Sequence, residues 1–281
     1  MVTPRRDLAV EAATSHTTDR DMAREIRRLV IEHSYRARVG HIGSSLSIAD
    51  ILAALYGSIL RGRSGEDDRD RLVLSKGHAA LGLFAALVLT QRLDLSELES
   101  FGTPGSRLGV HPEPGVPGVD FGTGSLGQGL SIGAGAALAA RLQGRASRSF
   151  VVMSDAELNE GSVWEAAQFA GHHRLHNLVA IVDLNGQQAF GNTADVLAIK
   201  DPAGAFTAFG WDVALVDGHD PEALAQALDV THGEGRPTVV LAATVFGRGV
   251  SFMERQLKWH YLPMDDDQYE RAMAELAMAE L

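Results

Sequence analysis

Cysteine is absent from the 281 residues, which excludes disulfides, thiolate metal sites and cysteine nucleophiles. Long apolar runs are missing as well. No stretch reaches the length of a transmembrane helix, and the opening MVTPRRDLAVEAATSHTTDRD has no apolar segment of the kind a secretory signal carries. Positive charge is in short supply: 25 Lys and Arg against 36 Asp and Glu give a formal net charge of −11. That balance argues against a general nucleic-acid or anionic-membrane binder, although a local basic site could still hold phosphates. The expectation is a cytoplasmic protein with no nucleic-acid or membrane partner.

What is present suits an α/β protein with a sizeable core, since 45% of residues are hydrophobic and 22% charged. Residues 1–17 read as a loose arm, and 18–264 as one α/β domain. Helical spacing of Met22, Ile26, Leu29, Val30 and His33 predicts a helix from Thr18 to Arg38. A glycine-bounded loop, Gly40 to Ser44, and a helix from Ile48 to Leu60 follow. Leu72-Val73-Leu74 reads as a short buried strand that leads into Ser75-Lys76-Gly77-His78 and an apolar helix, Ala79 to Leu89. Gly102 to Gly124 is too rich in glycine and proline for regular structure, and a long irregular loop inside a domain is usually functional. Helices at Leu126–Leu142 and Pro221–Val230 alternate with strands near Phe150–Met153, Leu178–Val182, Val213–Val216 and Val239–Ala243. This alternation predicts a three-layer, doubly wound, mainly parallel sheet with helices on both faces. The stretch 265–281 reads as an acidic helical tail without a core partner.

The segment Ser147 to Asn192 carries the most chemistry. It reads as strand, acidic turn, helix, strand and Asn-bearing turn, which brings Asp155 and Asn185 to the carboxyl ends of neighbouring parallel strands. Their separation of 185 − 155 = 30 residues is about one βαβ unit. A hard cation such as Mg²⁺ or Ca²⁺ needs few protein oxygens when phosphate and water supply the rest. Asp155, Asn185 and a nearby main-chain carbonyl could therefore share one with a diphosphate. Spacing alone leaves the plain alternative open, an Asp at a helix start and an ordinary Asn-Gly turn.

With Glu157-Leu158-Asn159-Glu160-Gly161-Ser162-Val163-Trp164-Glu165-Ala166-Ala167 beside it, this segment resembles the thiamine diphosphate (ThDP) motif of transketolases. There a Gly-Asp-Gly triplet is followed some thirty residues later by Asn. The resemblance implies the ThDP-binding fold, with Asp155, the Asn185 side chain and the Gln187 carbonyl as metal ligands. Ser154 and Ala156 stand where the family has glycines, positions where glycine lets backbone approach phosphate or take a positive φ. They touch the expected cofactor site without removing a ligand.

The same resemblance gathers scattered histidines in family order. Gly40-His41, Lys76-Gly77-His78, His111-Pro112-Glu113 and Lys258-Trp259-His260 each match a transketolase segment that carries an active-site histidine. It implies that His78 and His260 meet the diphosphate, and that His41, His111 and His260 line the sugar pocket. Imidazoles near neutral pKa can move the hydroxyl proton that ketose cleavage requires. His172, His173 and His176 read as structural. Gly122-Thr123-Gly124-Ser125-Leu126-Gly127-Gln128-Gly129 is weak evidence alone and lacks the Gly-Lys-Ser/Thr of a phosphate loop. It resembles the transketolase loop at the pyrimidine ring, with the backbone of Gly124 and Leu126 close to it.

In that family the glutamate that activates the aminopyrimidine belongs to a second domain, which also supplies arginines for the sugar phosphate. Glu160 and Glu165 do not fit that role. They match carboxylates at the family's dimer interface, or cap and pair on their own helix. The expectation is thus the N-terminal, diphosphate-binding subunit of a split transketolase, a two-carbon ketol transferase using ThDP and Mg²⁺ (or Ca²⁺). It would work with a separate C-terminal subunit bearing the pyrimidine domain, in a heterotetramer acting on sugar phosphates. A biosynthetic transferase with an altered substrate and a non-catalytic binding paralogue are the alternatives.

Overall fold

The computed structural model describes residues 18–63, 66–229 and 235–278; the predicted arm, the last residue of the helix predicted to reach Val230 and the end of the tail lie outside the described residues. Five strands form a parallel sheet: β1 (Arg71–Leu74), β2 (Ser149–Ser154), β3 (Leu178–Leu184), β6 (Asp212–Asp217) and β7 (Thr238–Ala243), in the order β1-β2-β3-β7-β6. The short strands β4 (Gln187–Gln188) and β5 (Gly191–Asn192) make a separate antiparallel hairpin. The helices are α1 (Asp19–Ala37), α2 (Ile42–Ser47), α3 (Ala49–Ala54), α4 (Ala80–Leu89), α5 (Leu95–Leu98), α6 (Gly129–Leu142), α7 (Gly161–His172), α8 (Thr193–Val196), α9 (Pro202–Ala208), α10 (Pro221–Leu228) and α11 (Asp266–Met278).

Strand side chains alternate between faces, and each face has its own core. Leu72, Leu74, Phe150, Val152, Val179, Ile181 and Val240 pack with the helical layer that holds Ile26, Leu52, Phe84 and Leu224. Val73, Val151, Met153, Ala180, Val182 and Leu241 face the layer that holds Leu130, Ala167, Phe206 and Trp211. This is the expected three-layer, doubly wound sheet. No helix among the described residues is long and apolar enough to cross a membrane.

Three local expectations are corrected. The glycine-bounded loop is shorter than predicted, and the helix predicted at Ile48 starts earlier and is broken. His41 takes a left-handed conformation (φ 60°) and turns the chain directly into α2, which meets α3 at Ile48; Leu55–Ile59 then widens into a π-helical turn. The helix expected from Leu126 starts at Gly129, because Gly127 has φ +83° and cannot lie in a right-handed helix. The acidic tail does have a core partner. Ala272 and Leu276 of α11 are buried in the first core, and Tyr269 stacks on Tyr35 of α1 at 4.1 Å between ring centroids.

Candidate active site

The carboxyl ends of β1, β2, β3 and β7 open on one cavity of about 210 Å³, where a parallel α/β sheet presents free backbone groups. β1 runs into Lys76 and His78, β2 ends at Ser154, β3 leads to Asn185 and Gln187, and the chain after β7 brings Phe246. His41, His111, Gly124, Leu126, Ala156 and His260 complete most of the wall. Of the residues predicted to bind cofactor, metal or substrate, all line this cavity except Asp155, which lines an adjoining one with Leu158, Asn159 and Gly186. No Asp or Glu is among the lining residues.

Three imidazoles form a near-equilateral cluster. The centroids of His41 and His260 are 5.1 Å apart, and His78 is 5.4 Å from each. Close backbone packing fixes them: His41 donates its main-chain N–H to the His260 carbonyl at 3.2 Å, and a Cβ at Gly40 would stand 2.4 Å from the Tyr261 carbonyl oxygen. His78 Nε2 and Ser44 Oγ share a hydrogen bond of 2.8 Å. The buried Nδ1 atoms of His41 and His260 have no hydrogen-bond partner among the described residues. Buried polar atoms rarely stay unpaired, so these two ask for a ligand.

The near-neutral imidazoles expected from the sequence are not what burial produces. Desolvation, then the neighbouring His41 and Lys76, brings His260 down to about 4. Desolvation and His111 lower His41, and burial with Lys76 pushes His78 well below the ordinary value. At pH 7 these three rings are neutral, each with one N–H donor and one acceptor nitrogen. His172, His173 and His176 lie on the exposed surface near the end of α7.

The acidic turn and the Asn turn meet as the strand register requires. Asp155 Oδ2 accepts the Gly186 N–H at 2.8 Å and Oδ1 accepts that of Ala156 at 2.9 Å. Asn185 Oδ1 accepts from the Gln187 N–H at 2.9 Å while its Nδ2 donates to Asp183 at 2.8 Å, so the amide oxygen is the end turned to the turn. Burial, then the negative charge of Asp183, raises the Asp155 carboxyl to about 7. A buried carboxylate so disfavoured lacks a counter-charge, and a hard cation supplies one. Gln187 Oε1 is also buried without a partner. The donor set, one carboxylate, one amide oxygen and a neighbouring carbonyl, therefore fits Mg²⁺ or Ca²⁺ shared with a diphosphate. No group of three His, Cys, Asp or Glu among the described residues is arranged to hold a metal by itself.

The backbone conformation at Ser154 and Ala156 does not call for glycine. Ser154 has φ −91° and ψ 159°, and Ala156 is not among the residues with positive φ. Ser154 and Glu157 instead form a capping box at the start of the following turn.

Residues 18–280 match the family described as transketolase, thiamine diphosphate binding domain. The chain belongs to the transketolase family. It is 37% identical over 255 residues to one of the subunits of an apulose-4-phosphate transketolase from Phocaeicola vulgatus, covering 89% of this chain and 91% of that protein. It is 38% identical over 259 residues to the 6-deoxy-6-sulfo-D-fructose transketolase subunit SqwG of a Clostridium species, covering 90% and 94%. The transketolase structure from Leishmania mexicana superimposes with a TM-score of 0.85 at 29% identity, over 92% of this chain and 41% of that one. This transketolase chain thus matches subunit-sized relatives in extent and spans about two fifths of that longer transketolase.

Two charged groups of this transketolase site escape a reading of motifs. Lys76 Nζ donates to Asp183 Oδ2 at 2.5 Å and to the Ser44 carbonyl at 3.3 Å, with its side chain excluded from solvent. Glu157, also fully buried, accepts from the N–H groups of Gly127 (2.9 Å) and Ser154 (2.8 Å) and from Ser75 Oγ. The only signal in the sequence was position: both directly follow buried strands that deliver motif residues.

Proposed function

We propose that this chain is the diphosphate-binding subunit of a two-chain transketolase, moving a two-carbon ketol unit from a ketose phosphate to an aldose. The observation that carries the reading is the histidine-lined cavity at the strand ends, with paired Asp155 and Asn185 turns and no carboxylate in its wall. Asp155, Asn185 and the Gln187 carbonyl would hold Mg²⁺, His78 and His260 would contact the diphosphate, the backbone of Gly124 and Leu126 would meet the pyrimidine, and Ser154 and Ala156 would border the cofactor. ThDP, when bound, supplies the electron sink that lets the C2–C3 bond of the ketose break. This chain's part is proton handling and orientation. One of the neutral rings, His41 or His260, would accept the single proton of the C3 hydroxyl as the aldose half leaves, while the other and His111 orient the sugar hydroxyls.

A carboxylate that activates the aminopyrimidine has to come from elsewhere, since Glu160 and Glu165 are exposed and absent from the cavity wall. A separate C-terminal subunit with a pyrimidine domain provides it, in a heterotetramer. Phe190, 84% exposed on the hairpin next to lining residue Ala189, and Leu197, 59% exposed, support a partner surface at this edge. Mixing the chain with such a subunit, ThDP, Mg²⁺ and a ketose phosphate restores ketol transfer; full turnover by this chain alone refutes the two-chain reading. An altered donor is the second reading. It is favoured by the two subunit relatives, named for apulose 4-phosphate and a sulfofructose, and product analysis with a panel of ketoses separates the readings.

A further inference from the structure

Glu157 is a buried carboxylate with no salt bridge among the described residues, the nearby Lys76 ammonium being paired with Asp183. Its oxygens take main-chain and hydroxyl donors from two distant segments, Ser75 after β1 and Gly127 in the glycine loop, and from the neighbouring Ser154 at the end of β2. Burying a carboxylate without a counter-ion is costly, and only a full set of hydrogen bonds makes it tolerable. A capping box needs just the local exchange between Ser154 and Glu157. Here the second oxygen reaches 30 residues back to Gly127, so the contact does more than start a helical turn.

Gly127 is gripped from both sides. Its N–H goes to Glu157 and its carbonyl accepts Ser162 Oγ at 3.0 Å. The fit is tight, since a Cβ on Gly127 would lie 2.5 Å from that of Glu160. Ser75 Oγ, which donates to Glu157, also accepts the Gly129 N–H at 3.1 Å, where α6 begins. Gly124 and Leu126, a few residues before this grip, line one wall of the cavity, and Ser154 and Ala156 line another.

We infer that Glu157 is a positioning residue that clamps the glycine loop to the acidic turn and sets the distance between the two walls before ThDP arrives. The inference rests on the ThDP reading of the cavity. It also gives the Ser154 side chain a purpose: its Oγ adds a second donor to Glu157 at 3.3 Å, beside the main-chain N–H that glycine would also supply.

Glu157→Gln tests this. The amide keeps the shape but presents an NH₂ group to one of two main-chain N–H donors, so one arm of the clamp opens. Losing a hydrogen bond to a charged group corresponds to about tenfold or more in an equilibrium constant. Three quantities are measured: the ThDP Kd in Mg²⁺ by calorimetry with the partner subunit present, kcat at saturating ThDP, and the amide exchange rate of Gly127 in the cofactor-free chain. The expected result is a Kd raised about tenfold or more, kcat within about threefold, and Gly127 exchange at least about tenfold faster. Trp211→Phe, a change in the second core away from the cavity, serves as a control for general destabilisation and leaves Kd and Gly127 exchange unchanged. Wild-type Kd and wild-type Gly127 exchange in Glu157→Gln overturn the clamp. If the wild type itself binds no ThDP, the proposed function falls, while the exchange rate still decides whether Glu157 holds the loop.

Discussion

The Lys76 ammonium sits 2.5 Å from Asp183 Oδ2, and both side chains are shut off from water between the ends of β1 and β3. Asp183 also accepts from Ser47 Oγ (2.8 Å), Asn185 Nδ2 (2.8 Å) and Thr244 Oγ1. The pair thereby holds Asn185 in its rotamer. Lys76→Met leaves Asp183 buried without its cation, which costs about 3–5 kcal/mol. Urea unfolding at pH 7.5 reads this loss, and adding Asp183→Asn recovers part of it. A single variant within about 1 kcal/mol of wild type shows that the pair is not a principal tie.

Acid weakens the fold partly through His33. Its ring is buried on α1, and Arg36 Nη2 donates to its Nδ1 at 2.8 Å, a bond that needs a neutral ring. Burial, then the charge of Arg36, lowers His33 from 6.5 to about 4. Between these values the unfolded chain binds more protons than the folded one. The contribution is complete above pH 6.5 and is lost as the pH falls toward 4. Unfolding free energies measured from pH 7 to 4.5 should fall less steeply in His33→Gln than in the wild type. Equal slopes would remove His33 from the account.

The sequence displayed its strands and turns clearly enough to bring Asp155 to Asn185, because one βαβ unit fixes their relation locally. The histidines were legible only as a set, since nothing in the neighbourhood of His41 or His111 says which distant ring it will meet. Lys76 and Glu157 were hidden for the same reason: their partners lie 107 residues away in one case, and 82 and 30 in the other. A lysine after a strand reads as a solvated loop residue until Asp183 is placed behind it. The tail misled because its acidic face dominates its composition, while two small contacts, Ala272 and Leu276, do the packing.

Gly40→Ala should damage function out of proportion to its size. A methyl group there meets the Tyr261 carbonyl oxygen at 2.4 Å and its carbon at 2.7 Å, both backbone atoms that cannot swing aside. The two segments it pushes apart carry His41 and His260. With geometry displaced by a few tenths of an ångström or more, a loss of about 10- to 100-fold in kcat/KM is expected. The circular dichroism spectrum should stay folded, because the core clusters are untouched. Unchanged steady-state kinetics would mean that the His41–His260 spacing does not matter.

Asp155→Ala separates cofactor binding from folding most directly. Its carboxylate accepts two main-chain N–H groups, worth about 1 kcal/mol each, and their loss destabilises the turn. Against this, the substitution removes a buried negative charge beside Asp183, the arrangement that lifts Asp155 to about 7. The two effects oppose each other, so the stability of the cofactor-free chain should change by no more than about 1–2 kcal/mol. Cofactor binding has no such compensation. Without the carboxylate the cation loses its charged protein ligand, and the Mg²⁺-dependent affinity for ThDP should drop by about 100-fold, the upper end of what even supporting groups of a metal site contribute. Calorimetry with and without EDTA checks it: the wild type loses its ThDP heat on chelation, whereas the variant has little to lose. Retention of wild-type affinity in Asp155→Ala would show that the cation, if held, is held by other groups.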